Sequence, residues 1–143
     1  MTASAGSAVT GARRSSAAAV VLGAVTAAVL ANVAVHAAGR AFGGSFRFSS
    51  ASGPAQVDAA TVAGFTALPL LVGLTLAALL GRRWPRMILV AQVVAPTLAL
   101  STIFVMTLPA DFDHVSTLTL AICHVVLVPA SILALLRLQN RTG

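Results

Sequence analysis

At 143 residues the chain has the length of one domain. Its hydrophobic fraction is 58% and its charged fraction 8%, against roughly 25% charged in an ordinary soluble domain. With a mean hydropathy of +0.97, this excludes a soluble fold, because a small domain has too much surface to cover with so few charges. The net charge of +6 comes from arginine alone. The arginines flank apolar runs and form no stripe with interleaved aromatics, which excludes nucleic acid as a partner.

Residues 1–16, rich in Ala, Ser, Gly and Thr, read as a disordered cytoplasmic tail. The first apolar run, 17–38, is near the ~20 residues that span a bilayer as a helix. It follows Arg13 and Arg14 as the core of a signal peptide would, but it is longer than such a core, so a retained helix is expected. Asn32 and His36 lie one turn apart in it. Gly23, Ala27 and Ala31 give a small-residue stripe suited to close helix packing.

The loop 39–58, "GRAFGGSFRFSSASGPAQVD", is the longest connection. Phe46, Arg47 and Phe48 alternate with period two. The reading is an extended segment or small hairpin on the outer surface, with its phenylalanines dipping into the lipid boundary. "SSASGPAQ" reads as a flexible turn.

The second run is 59–80, with Thr66, Pro69, Gly73 and Ala77 expected on one inward face. The inner turn 81–85 is short enough to force an antiparallel pair. Trp84 suits the interface, and Pro85 suits a helix start. The third run is 86–108, with Gln92, Pro96, Ala99 and Met106 on one face and a small stripe at Ala91, Ala95 and Ala99. The outer turn 109–114 holds "DFDH". The fourth run is 115–137, with Thr117, Ala121, His124, Val128 and Ser131 in one stripe, and 138–143 is a second cytoplasmic tail. None of the four runs contains Asp or Glu.

With four spans, Arg13, Arg14, Arg82, Arg83, Arg86, Arg137 and Arg141 fall on one side and Arg40 and Arg47 on the other. The excess marks the cytoplasmic side. The expected fold is therefore all-α: a four-helix transmembrane bundle of the bacterial plasma membrane, N-in and C-in, with one longer extracytoplasmic loop between helices 1 and 2.

Polar groups inside lipid need partners, so Asn32, Gln92 and His124 should face other helices. His124 sits near mid-membrane, and Asn32 is its nearest expected partner. Pro69, Pro96 and Pro129 free the carbonyls of Phe65, Gln92 and Val125 and are expected to kink their helices. The outer rim gathers His36, Arg40, Asp58, Asp111, Asp113 and His114. Asp111 or Asp113 is expected to pair with Arg40 or Arg47. No metal is expected there, since no recognised ligand spacing occurs. His36 and His124 differ in height by about 10 Å of helical rise, which rules them out as a haem pair. Cys123 is alone, so no intrachain disulfide forms. G-x-S-x-G, P-loop and H-E-x-x-H motifs are absent.

Several segments together carry a resemblance: "GRAFGGSF", "ALPLLVGL", "RRWPR", "AQVVAPTLAL", "ADFD" and "HVVLVPA". Over residues 17–137 the chain resembles a family of small four-helix membrane proteins of high-GC Gram-positive bacteria whose function is unknown. The resemblance implies the same four spans and no activity, cofactor or catalytic residue. The functional expectation is a non-enzymatic structural or accessory envelope protein that binds no cofactor. Its partners would be the lipid bilayer and a second copy or another membrane protein. The alternative is a small homo-oligomeric transporter or channel with a polar path near His124.

Overall fold

The computed structural model describes residues 16–142; Arg13, Arg14 and the rest of the predicted N-terminal tail lie outside the described residues. The elements are α1 (Ala17–Ala41), β1 (Arg47–Ser50), β2 (Gly53–Gln56), α2 (Ala59–Arg83), α3 (Arg86–Thr102) with a π-helical turn (Ile103–Thr107), and α4 (His114–Thr142). The helices outrun the expected spans at several ends: α1 by three residues, α2 by three, and α4 into the segment read as a tail. Apolar content marks the stretch that lipid can cover, whereas backbone hydrogen bonding continues into the polar margin.

The starts of α1 and α2 are capped by local side chains. The Ser16 hydroxyl accepts the Ala19 N–H at 3.2 Å, and the Asp58 carboxylate accepts the Thr61 N–H at 2.7 Å, each satisfying an orphan donor. The end of α1 is a Schellman motif: Gly44 N–H donates to Gly39 O at 2.9 Å and Gly43 N–H to Arg40 O at 3.1 Å. Gly43 has φ +93°, the left-handed position that this motif gives to glycine. At the end of α3, the Thr102 hydroxyl donates to both Leu98 O and Ala99 O. Its competition for these carbonyls precedes the π-turn, which Leu108 N–H closes onto Ile103 O at 2.9 Å.

The helices run up and down. α1 packs on α2 and α4, α3 packs on α4 and α2, and α2 touches α4; α1 and α3 do not meet. One end, here the hairpin end, gathers the loop, the π-turn and "DFDH". The other, the arginine end, carries Arg82, Arg83, Arg86, Arg137 and Arg141. A large apolar cluster near the arginine end joins Val20, Val21, Leu74, Ala77, Ile88, Ala134, Leu135 and Leu138. A smaller one beneath the hairpin joins Phe46, Val62, Leu120 and Cys123.

Three packing expectations need correction. Gly23 and Ala27 face outward, and the buried line of α1 is Val20, Val21, Ala28, Asn32, His36 and Gly39. On α2, Thr66 and Ala77 are buried but Pro69 and Gly73 are exposed; the inner face runs Val62, Thr66, Leu74, Ala77 and Gly81. On α4, the buried face passes through Ser116, Leu120, Cys123, Ser131 and Leu135, rotated from the expected stripe, so Thr117, Ala121, His124 and Val128 are half-buried. The shared cause is that small size was read as a packing signal in a chain where alanine is common everywhere. The inner faces mix leucine and valine with isolated polar groups and with small residues at other positions, such as Ala28, Gly39, Ala77 and Gly81.

The loop is a hairpin. β1 and β2 pair antiparallel from Arg47–Gln56 to Ser50–Gly53, so "GPAQ" is a strand where a flexible turn was expected. The phenylalanines turn the other way from the sequence expectation. Phe46 is fully buried, and Phe48 packs on Phe112 with ring centroids 5.1 Å apart.

Candidate functional site

The polar chemistry concentrates where the hairpin meets α4. Asp113 stands immediately before α4, and its Oδ1 accepts the Ser116 N–H at 2.8 Å, capping the helix. Its Oδ2 accepts the Ser116 hydroxyl at 2.6 Å, the Ser45 N–H at 3.0 Å and the Ser45 hydroxyl at 2.8 Å. The Ser116 oxygen in turn accepts the Phe46 N–H at 2.8 Å. Asp111 makes a second clamp: it accepts the Ser49 N–H and the Ser49 hydroxyl, each at 2.7 Å. These donors lower both carboxyls. The Ser116 side chain leads at Asp113, which lies well below the usual carboxylate range, and the Ser49 side chain leads at Asp111.

The two carboxylates therefore do hold the loop to the α3–α4 turn, but through serines where arginine partners were expected. The reason is geometric. A strand N–H and its neighbouring hydroxyl can approach one carboxylate together, while Arg40 reaches only Ser45 O, at 3.5 Å.

Beneath the clamp, Phe46 is the wedge. Its backbone is left-handed, φ +56°, an unfavourable state for a bulky residue. Val57 N–H donating to Phe46 O at 2.8 Å and the Ser116 bond hold it there. The turn swings the ring into the bundle against His36, centroid to centroid 4.3 Å. Gly39 and Gly44 make room, since a Cβ at either would collide with the Phe46 ring. His36 is buried, and its Nε2 donates to Val57 O at 3.1 Å.

The predicted rim cluster is thus divided. Asp58 caps α2, Asp111 and Asp113 grip the hairpin, His36 lies under it, Arg40 is exposed, and His114 is an exposed first residue of α4. Among the described residues no three metal-ligating side chains form a cluster.

Inside the bundle the three intramembrane polar residues go to separate partners. Asn32 Nδ2 donates to the Thr66 hydroxyl at 2.9 Å, joining α1 to α2. Gln92 Nε2 donates to Gln139 Oε1 at 2.8 Å, joining α3 to α4. His124 Nδ1 donates to Leu120 O at 2.8 Å, within its own helix. The expected Asn32–His124 bond is replaced by these. Cys123, the neighbour of His124, points inward and reaches Asn32 O at 3.7 Å. The three prolines lie within continuous helices, with Pro69 and Pro129 on the outside.

Sequence reasoning passed over Ser45, Ser49 and Ser116, and it directed Phe46 to the lipid boundary and not into the bundle. The signal available was Asp113 followed three residues later by a hydroxyl at a helix start, a capping pattern. Nothing local in the sequence tied Ser45 or Ser49 to it.

Four helices, Ala17–Ala41, Ala59–Arg83, Arg86–Thr107 and His114–Arg141, are long and apolar enough to cross a membrane. Most of their large apolar side chains face outward, as in Leu68, Val93, Leu98 and Val105, where only lipid solvates them well. Fold and composition define a small multi-pass membrane protein in a lipid bilayer. Over residues 12–141 the chain matches the model of a family of unknown function, DUF6069, and it belongs to that family. No curated protein and no solved structure matched it.

Proposed function

We propose that this is a non-enzymatic structural or accessory protein of the cell envelope whose working part is the clamped hairpin. The observation that carries this reading is the use to which the polar groups are put. Asp111 and Asp113, with the chemistry to act on something, are engaged by Ser45, Ser49 and Ser116. Asn32, Gln92 and His124 bond three different partners, Thr66, Gln139 and the Leu120 carbonyl. A fixed hairpin over a bundle is a surface to be met by another membrane protein or a second copy of the chain.

The orientation we propose is N-in and C-in, with the hairpin outside the bacterial plasma membrane. The arginine excess at the opposite end favours it. In a Cys123→Ser background, Ala51→Cys at the hairpin tip reacts with an impermeant thiol reagent in intact cells, while Asn140→Cys reacts only after lysis. The reverse pattern overturns the orientation.

The function is tested by asking which variant behaves as a deletion. Asp111→Asn with Asp113→Asn should reproduce the envelope phenotype of a deletion strain, and His124→Leu should not. Proton or ion flux in proteoliposomes that disappears in His124→Leu would replace this reading with a transporter.

A further inference from the structure

The turn between α2 and α3 is built around Trp84. Its N–H donates to Leu80 O at 2.7 Å, and Met87 N–H donates to Trp84 O at 2.9 Å, tying the two helix ends to one another. On the buried side Gly81 lets Ile88 close against α2; a Cβ there would lie 2.7 Å from the Ile88 side chain. The exposed side forms a hollow of about 580 Å³ lined by Leu80, Arg83, Trp84, Pro85, Arg86 and Met87. Its apolar members are accessible: Leu80 is 40%, Trp84 55% and Met87 38% exposed. Arg83 is the last residue of α2 and Arg86 the first of α3, and both are exposed. Neither guanidinium has a partner among the described residues. The chain's three acidic side chains, Asp58, Asp111 and Asp113, all belong to the hairpin end. In addition, α3 starts without the side-chain cap that Ser16, Asp58 and Asp113 give the other three helices.

We infer that this hollow binds an anionic phospholipid by its phosphate. Two guanidiniums from adjoining helix ends present planar donor forks that match phosphate oxygens. They stand where the apolar spans end, the depth at which a lipid carries its phosphate. The positive end of α3 adds to the attraction. Leu80, Trp84 and Met87 give the glycerol and upper acyl chain an apolar surface, which a free phosphate does not use. A neighbouring cavity of about 210 Å³ has arginines as well, but its larger apolar members, Ile88 and Leu138, are buried and give a lipid chain nothing to lie on. Basic pockets at membrane helices recognise headgroups in this way. The site owes nothing to the hairpin and stands whatever the hairpin's role.

Trp84 is the chain's single tryptophan, so its fluorescence reports on this hollow alone. The test places the full chain in bilayers of phosphatidylcholine and phosphatidylglycerol. Each lipid in turn is replaced by a form brominated near the glycerol, which quenches a tryptophan it touches. In the wild type, brominated phosphatidylglycerol should quench Trp84 well beyond its share of the bilayer. Arg83→Gln with Arg86→Gln should weaken this preference by about fivefold per arginine, the worth of one basic side chain near an anionic surface. Arg82→Gln with Arg137→Gln removes equal charge at the same end outside the hollow and should leave most of the preference. Thermal melting in detergent checks that each variant is folded. Equal losses in the two arginine pairs would overturn the site in favour of diffuse surface charge. A wild type without preference, or one in which neither lipid quenches Trp84, would overturn it as well. Relief of quenching by millimolar inorganic phosphate, as complete as that by unbrominated phosphatidylglycerol, would overturn the lipid assignment.

Discussion

Asp113 Oδ2 accepts both the backbone N–H and the hydroxyl of Ser45, 68 positions earlier in the chain. One carboxylate thus fixes the start of the hairpin and, through Oδ1, the start of α4. The loop between the first two helices is a part of the fold because of this pairing.

Ser116 is the most exacting partner in that arrangement, being fully buried and bonded on both sides. Ser116→Ala leaves the Phe46 N–H without an acceptor in a closed setting. An unsatisfied buried donor costs about 1–3 kcal/mol, and thermal unfolding in detergent should show a loss of that size. Hydrogen exchange should rise first at Phe46 and Arg47. A stability change within about 0.5 kcal/mol with unaltered exchange would mean that Ser116 does not hold the wedge.

The clamp should withstand mild acid. Asp111 and Asp113 are shifted below the ordinary carboxylate value of 3.8 by their serine donors, and Asp58 by Thr61. A depressed folded pKa gives stabilisation that is complete above the unfolded value and is lost as pH falls through the folded one. Protection of the Ser45 and Ser49 amides, corrected for intrinsic exchange, should be level from neutral pH to about 4 and fall only below that. Loss of protection between about pH 7 and 5 would instead assign control of the loop to a histidine.

Glycine substitutions separate packing from composition. At Gly39 a Cβ would overlap the Thr119 side chain and come within 2.9 Å of Phe46 Cζ, whereas at Gly23 it would meet nothing within 4 Å. Gly39→Ala should destabilise the protein by about 1–3 kcal/mol, the usual cost of overpacking. Gly23→Ala should be neutral or slightly stabilising, since alanine is the better helix former. Equal effects on the melting temperature would contradict the packing described for α1.

Asn32 and Thr66 should be coupled across α1 and α2. A double-mutant cycle with Asn32→Val and Thr66→Val should yield about 0.6 kcal/mol, the typical worth of an interhelical hydrogen bond in membranes. Asn32 with His124→Leu should give a coupling near zero, because the His124 ring bonds its own helix. A larger coupling to His124 than to Thr66 would reverse the assignment.

The spans were legible because lipid imposes a strong rule: about 20 apolar residues without an acid. The antiparallel α2–α3 pair followed from the brevity of "GRRWPR". Rotation of each helix was harder to see. The sequence distinguishes polar from apolar, but inside lipid both the inner and outer faces are apolar, and Gly73 on the outside looks no different from Gly81 on the inside. The partners of Asp111 and Asp113 were hidden for another reason. Their contacts span 62 and 68 positions, and an exposed arginine near a carboxylate is a generic expectation that a specific serine displaces only through folded geometry. The inward turn of Phe46 depends on a left-handed backbone at a bulky residue, which local preference argues against.

The wide separation of Ser45 and Asp113 also dictates an order of biosynthesis. A ribosome adding about 5–20 residues per second needs roughly 3–14 s to make the 68 positions between them. α1 is complete at the start of that interval and α2 and α3 are made within it, but until it ends the serines of the hairpin have no carboxylates to receive them. The hairpin must therefore reach its side of the membrane ahead of its anchor and wait there, with Phe46 unseated, until the third helix delivers "DFDH". A nascent chain stalled before Asp111 would contain both strands and the first three spans, yet leave the hairpin open to protease. A chain that includes α4, with the Leu120 and Cys123 that pack with Phe46, would not.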